Sequence, residues 1–257
     1  MEIEEKLIIA KLLDKIKTSK KANKIVNTEF LSIYQKQIIQ KKLNELGVKN
    51  YIFFGGYDEA EGQILIIYPE KFDLDIVTKN LKNKIKVIKI KLPKELEGKY
   101  KHRDYLGAVM QVGLNRNRIG DIIVYSNKAY IIVLKENAEY LINYLSDLTK
   151  FRKSKIQLID YTDIEIKPIE YEDFNILINS MRLDNFVSEI ANISRSKAEE
   201  MLKQEKIYIN SKVETKSSKA VKVKDIIVIR GKGKFMIDSI TGKNKKEKII
   251  VNIRKYK

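Results

Sequence analysis

The stretch MRLDNFVSEIANISRSKAEEMLKQEKIYIN, Met181 to Asn210, reads as two short helices followed by a strand. Leu183, Val187, Ile190 and Ala191 recur at helical spacing, and Ala198, Met201 and Leu202 do so after the SRS junction. Ser196-Lys197-Ala198-Glu199 fits a capping box, in which serine oxygen and glutamate reciprocally satisfy first-turn amides. Ser196 is therefore expected to matter for stability. The cap accounts for neither Arg195 nor Arg182, each at a predicted helix start. Downstream, KIYIN is a strand and SKVETKSSKAVKVKD a basic connection. IIVIRGKGKFMIDSI is a strand broken by Gly231 and Gly233, KIIVNIRKY its partner, and TGKNKKEK a basic hairpin tip.

The chain around this stretch is 257 residues long, 44% hydrophobic and without cysteine. It can bury a core in one large domain or a few small ones. It holds no disulfide, thiolate nucleophile or thiolate metal site. A single histidine, His102, rules out a histidine-rich metal site, so no metal site and no cofactor are expected. No apolar run approaches the roughly 18 residues of a membrane span. The start, MEIEEKLIIAKLLDKIK, lacks the basic flank of a signal peptide, so a soluble cytoplasmic protein is expected. Lysine and arginine number 51 against 34 aspartate and glutamate, a net +17. From Met181 onward the counts are 20 and 9, against 31 and 25 in the first 180 residues. A general lysine bias would spread evenly. A surplus concentrated in the last third points to a polyanionic partner.

Upstream, residues 4–20 have helical spacing, and Thr28 with Glu29 is read as starting a second helix that Gly47 ends. YIFFGGYDEAEGQILIIYPE reads as strand, Gly-Gly turn, acidic loop and strand. Then KIKVIKIKLP, HRDYLGAVMQVGL, IGDIIVYSNKAYIIVLK, ENAEYLINYLSDLTK and KIQLIDY give the order β-α-β-β-α-β. That order is the ferredoxin-like pattern shared by RNA-recognition sheets. Such sheets stack bases on central aromatics, and here the central strand offers only Tyr130. Pro168 with Glu170, Glu172 and Asp173 marks a linker, with a strand possible from Phe174 to Ile178. The expected fold class is α+β in three small domains. They are an N-terminal α+β domain at 1–78, a ferredoxin-like middle domain at 79–165, and a C-terminal domain at 181–257 after a linker at 166–180.

The pattern Arg182-Leu-Asp, Ser194-Arg-Ser, Ala198, a strand ending in Asn210, and Arg230-Gly-x-Gly resembles the S-four domain, or α-L RNA-binding motif. The resemblance implies RNA contacts at Arg182, Asp184, Ser194, Arg195, Ser196, Lys197, Lys206, Arg230, Lys232 and Lys234. Arginine forks and helix N-terminal amides suit phosphate. Asp184 is expected to orient an arginine or cap a helix. Glu205 and Ser211 stand where the family has Gly, and Lys234 where Arg is common. Residues upstream exclude several enzymes that carry this domain. There is no second R-L-D of a pseudouridine synthase, no G-x-G-x-x-G cofactor loop, and no tRNA-synthetase signature. HRD at His102 has no D-F-G partner of a kinase.

FFGGYDEAE at Phe53 to Glu61 and HRDYLGAVMQVGLNRNRIGDIIV at His102 to Val124 resemble the two internal motifs of the YlmH family, also called ribosome-associated quality control protein P. That resemblance spans the whole chain, although Gly62 stands where members have a basic residue. It implies a non-catalytic, monomeric RNA-binding factor. Its partners would be large-subunit ribosomal RNA, tRNA and an alanine-tailing quality-control factor, with no membrane. His102, Arg103, Arg116 and Arg118 are candidate secondary RNA contacts. The alternatives are an RNA-modifying enzyme, such as a pseudouridine synthase, and a cell-division-associated RNA-binding protein. Arg182→Ala with Arg195→Ala is expected to strip the protein from large subunits without unfolding it.

Overall fold

The computed structural model describes residues 3–168 and 170–257. The chain forms two compact units, one ending at Glu165 and the other comprising Ile166–Lys257.

The first unit begins with α1 (Ile3–Ala22), β1 (Val26–Leu31), α2 (Ile33–Glu45), β2 (Tyr51–Phe54), β3 (Gln63–Ile67) and α3 (Leu74–Leu81). The strands form an antiparallel sheet of order β1-β3-β2. Residues 26–31, read from sequence as a helix start, are thus a strand. The Thr28 hydroxyl accepts from the Leu65 amide at a bulge of that strand and caps nothing. The cap of α2 is Ser32. Its Oγ accepts from the Gln35 amide at 3.2 Å, and Gln35 Oε1 accepts from the Ser32 amide at 3.0 Å.

The unit continues with β4 (Ile85–Lys91), α4 (His102–Gln111), β5 (Ile119–Val124), β6 (Lys128–Leu134), α5 (Lys135–Asp147) and β7 (Lys155–Ile159). Their antiparallel sheet has the order β5-β6-β4-β7, the ferredoxin-like arrangement. Ile88, Ile90, Ile131 and Val133 face α4 and α5. The opposite face, with Ile85, Val87, Tyr130, Ile132 and Leu134, packs on Phe30, Ile64, Ile66 and α3. Leu65 and Ile67, on the far side of the small sheet, meet α1 and α2. The layers run helix, sheet, sheet, helix, so the expected boundary at 78/79 is no break in packing. This also explains the sequence of β6. Ala129 to Leu134 are all buried because both faces are covered, and a strand covered on both faces loses its alternation. Tyr130 is fully buried and is no base-stacking platform.

The second unit comprises β8 (Tyr171–Ile178), α6 (Leu183–Ala191), α7 (Arg195–Lys203), β9 (Ile207–Ile209), β10 (Lys212–Val213), β11 (Ile226–Ile229), β12 (Gly233–Lys243) and β13 (Ile249–Tyr256). They build an antiparallel six-stranded sheet, β10-β9-β11-β12-β13-β8. Two expectations change. The segment at 166–180 contains strand β8, paired along its length with β13, so it belongs to this sheet. The stretch from Ile226 to Ile240 is a hairpin of two paired strands turning at Gly231, not one broken strand. Leu183, Phe186, Val187, Ala198 and Leu202 cover one face of the sheet, meeting Ile207, Ile227, Phe235, Val251 and Ile176.

Candidate nucleic-acid interface

The starts of α6 and α7 converge on one carboxylate. Asp184 is fully buried. Arg182 donates from Nε and Nη2 to its two oxygens, at 3.1 and 2.7 Å. Arg195 donates from Nε and Nη2 to Oδ2, at 3.0 and 2.8 Å. The Asn185 amide adds a bond of 2.9 Å to Oδ1. Burial alone would raise the pKa of Asp184, but the hydrogen bonds from Arg182, Arg195 and the Asn185 amide outweigh it and hold the carboxyl below its usual range. The two arginine side chains are 37% and 52% exposed. Each spends Nε and Nη2 on Asp184, which leaves its Nη1 unused by that carboxylate. A buried anion thus fixes two part-exposed guanidinium groups at helix starts.

Sequence placed the α7 cap at Ser196, and the structure moves it. Ser194 is the N-cap, with Oγ accepting from the Lys197 amide at 3.3 Å. Ser196 and Lys197 are exposed in the first turn. The helix starts two residues earlier than the sequence box implied, at Arg195. That places the arginine where it reaches Asp184.

The basic connection closes over the start of α6. The Leu183 and Asp184 amides donate to the Lys219 and Ser217 carbonyls, and Arg182 bridges Ala220. This brings exposed Lys216 and Lys219 beside the clamp. Sequence noted the run as basic but assigned none of its lysines, because only the fold returns the loop to Arg182.

Lys206, Arg230, Lys232 and Lys234 form a separate group. Lys206 follows the far end of α7, a nine-residue helix rising about 13 Å from the clamp. The Arg230 amide donates to the Lys206 carbonyl at 3.0 Å, joining that loop to the β11–β12 turn where Lys232 is exposed. Arg230 bonds the Tyr208 hydroxyl and lies over its ring. Lys234 Nζ sits 4.3 Å from the Tyr256 ring centroid. The two departures from glycine both fall at left-handed backbone, Glu205 at φ 56° and Ser211 at φ 72°.

In the first unit, His102 and Arg103 are exposed in the first turn of α4. Asp104 accepts from the Lys101 amide at 2.9 Å and lies 3.6 Å from Lys150. Arg116 Nη1 donates to the Ile119 and Gly120 carbonyls, at 2.5 and 3.1 Å. Arg118 pairs with Glu29 at 3.0 Å and with Glu136. Both arginines of this turn therefore have intramolecular work. The two internal motifs meet at Asp121, which accepts from the Tyr57 hydroxyl at 2.8 Å and from the Glu61 and Gly62 amides at 2.8 and 2.9 Å. Burial and the Asp121 charge push the Tyr57 phenol well up. A Cβ at Gly62 would lie 3.1 Å from Asp121 Oδ1 and 3.2 Å from Gly120 Cα, so glycine suits this close approach.

A family model described as "Putative RNA-binding domain in YlmH" matches residues 79–167, and one described as "S4 domain" matches residues 181–227. The two lie in that order along one chain. The chain thus carries a YlmH-type RNA-binding domain followed by an S4 domain. A curated relative, the ribosome-associated protein quality control protein P2 of Bacillus subtilis (strain 168), is 29% identical over 237 residues. The match spans 90% of this chain and 87% of the relative. In structure, the chain is similar to the cell division protein ylmH from Streptococcus pneumoniae, with TM-score 0.51 and 17% identity. That likeness covers 63% of this chain and 95% of the other, and it concerns the fold. The clamp residues Arg182, Asp184, Ser194 and Arg195 all lie within the S4 match, as do Lys216 and Lys219.

Proposed function

We propose that this protein is a non-catalytic RNA-binding factor of bacterial ribosome-associated quality control. In this reading it binds the obstructed large ribosomal subunit together with peptidyl-tRNA, as a monomer in the cytoplasm, and so supports alanine tailing of the stalled chain by a partner factor. The observation that carries the reading is the Asp184 clamp, which fixes two part-exposed arginines at helix starts inside an S4 domain. The name of the Bacillus subtilis relative supports the quality-control setting. A binding factor needs no chemistry for this role. It has only to favour one tRNA position over another by binding that state more tightly. RNA helices are recognised by shape and backbone, so little base specificity is expected.

The test must respect the clamp. Removing both arginines alone would strand a buried carboxylate, at a cost of about 3–5 kcal/mol, and would confuse unfolding with lost binding. The variant Arg182→Gln/Asp184→Asn/Arg195→Gln keeps a neutral hydrogen-bonding set. Lys197→Ser/Lys216→Ser/Lys219→Ser removes surface charge beside the clamp without touching it. Each should cut cosedimentation with peptidyl-tRNA-bearing large subunits at least tenfold at moderate salt, with thermal melting close to the parent. Parent-like cosedimentation in both variants would sink the reading.

A further inference from the structure

The sheet of the second unit has a face the helices do not cover, and a single row crosses it. Tyr208 on β9 pairs with Val228 on β11, and Val228 pairs with Lys234 on β12. Phe235 pairs with Lys255, which sets Lys234 opposite Tyr256 on β13, where its Nζ lies 4.3 Å from the ring centroid. Tyr256 pairs with Tyr171 on β8, and their rings meet edge to face at 5.1 Å. The neighbours in each strand, Ile207, Ile227 and Phe235 among them, point to the helices, so the row points away from them.

The row alternates rings with cations. Arg230 lies 5.1 Å from the Tyr208 centroid, and Arg254 lies 5.6 Å from that of Tyr171. Arg254 also stands 3.4 Å from Asp173 and 3.5 Å from Asp238, and Asp238 pairs with Lys224 at 2.8 Å. Even with those two carboxylates, the cations Lys224, Arg230, Lys234 and Arg254 leave the face positive. All three tyrosines are half-buried, which fixes their rings while leaving part of each surface open.

We propose that this row is a second nucleic-acid site, which stacks unpaired RNA bases on Tyr208, Tyr256 and Tyr171 while Arg230, Lys234 and Arg254 hold the intervening phosphates. Five strands at about 4.8 Å spacing make the row about 19 Å wide. Sheets of this kind stack about two or three bases. The site deepens the RNA-binding reading and rests on it, but it uses a different face, a different RNA form and different residues from the Asp184 clamp. Charge selects RNA over a protein partner, because a ring row lined by cations complements phosphates and bases together.

The probe is a fluorescent 12-nucleotide single-stranded oligouridylate, with an RNA duplex as comparison. Tyr171→Leu/Tyr256→Leu in the full chain should lose at least about tenfold in single-strand affinity. Tyr171→Phe/Tyr256→Phe should retain it, because the ring and not the hydroxyl does the stacking. Lys234→Gln/Arg254→Gln should flatten the salt dependence of single-strand binding. Tyr208→Leu, at the other end of the row, gives an independent reading if the leucine pair fails to fold. Unchanged single-strand affinity in the leucine variants overturns the proposal. So does a loss that phenylalanine fails to retain. Loss of a ribosomal protein from pull-downs with no change in RNA affinity would make the row a protein-docking face and overturn it as well. Large-subunit cosedimentation of the clamp variants is read separately, so failure of the row and failure of the quality-control reading are distinguishable.

Discussion

At the scale of single residues, Asp184 decides most. Its carboxylate is buried, so its negative charge reaches the surface only by holding two arginines in place. Asp184→Asn should cost about 2 kcal/mol at neutral pH, since two charged bonds weaken. The folded pKa lies below the unfolded value of about 3.9, so the stabilisation is present above that value and fades as pH falls through the folded one. Thermal melts of parent and variant should therefore differ at pH 7 and converge as the pH falls below about 4. A gap that persists in acid would remove the carboxylate from the account. Ser194→Ala should cost about 1 kcal/mol by loss of the cap, while Ser196→Ala should cost little. Urea denaturation of the two single variants compares them directly.

At the scale of elements, α7 ends in a left-handed turn. The Lys206 amide donates to the Met201 carbonyl and the Glu205 amide to that of Leu202, the double bond of a Schellman turn, with Glu205 at φ 56°. Glycine fits that backbone better, so Glu205→Gly should raise stability by about 0.5–1 kcal/mol, net of the entropy glycine adds to the unfolded chain. Calorimetric melting measures it, and a drop in melting temperature would refute the strain. The sequence made much of the fold legible. The apolar stripes of α6 and α7, the ferredoxin-like order and the arginines at helix starts could all be read from spacing. Three features could not. β1 looked helical because Thr28 is a good cap, yet its hydroxyl serves a bulge in a sheet whose partner lies 37 residues on. Ser194 and Ser196 are equally good caps by type, and only the pull of Asp184 on Arg195 selects the earlier start. The lysines at 216 and 219 join the site through a loop whose return no local pattern encodes.

At the scale of the whole molecule, the basic surplus is divided unevenly along the chain, +11 from Met181 onward against +6 in the first 180 residues, and both units hold internal ion pairs. Among the described residues no helix is long and apolar enough to cross a membrane. The larger unit also uses both faces of its ferredoxin-like sheet as core. A fragment spanning only residues 79–165 would lay bare Ile85, Val87, Tyr130, Ile132 and Leu134 together. Such a patch is adhesive. Sedimentation velocity should find this fragment self-associated where the full chain is not, and a monodisperse monomer would count against the shared core. Any RNA the fragment captured through that patch would be held by an interior, a surface that the intact protein never offers to a ligand.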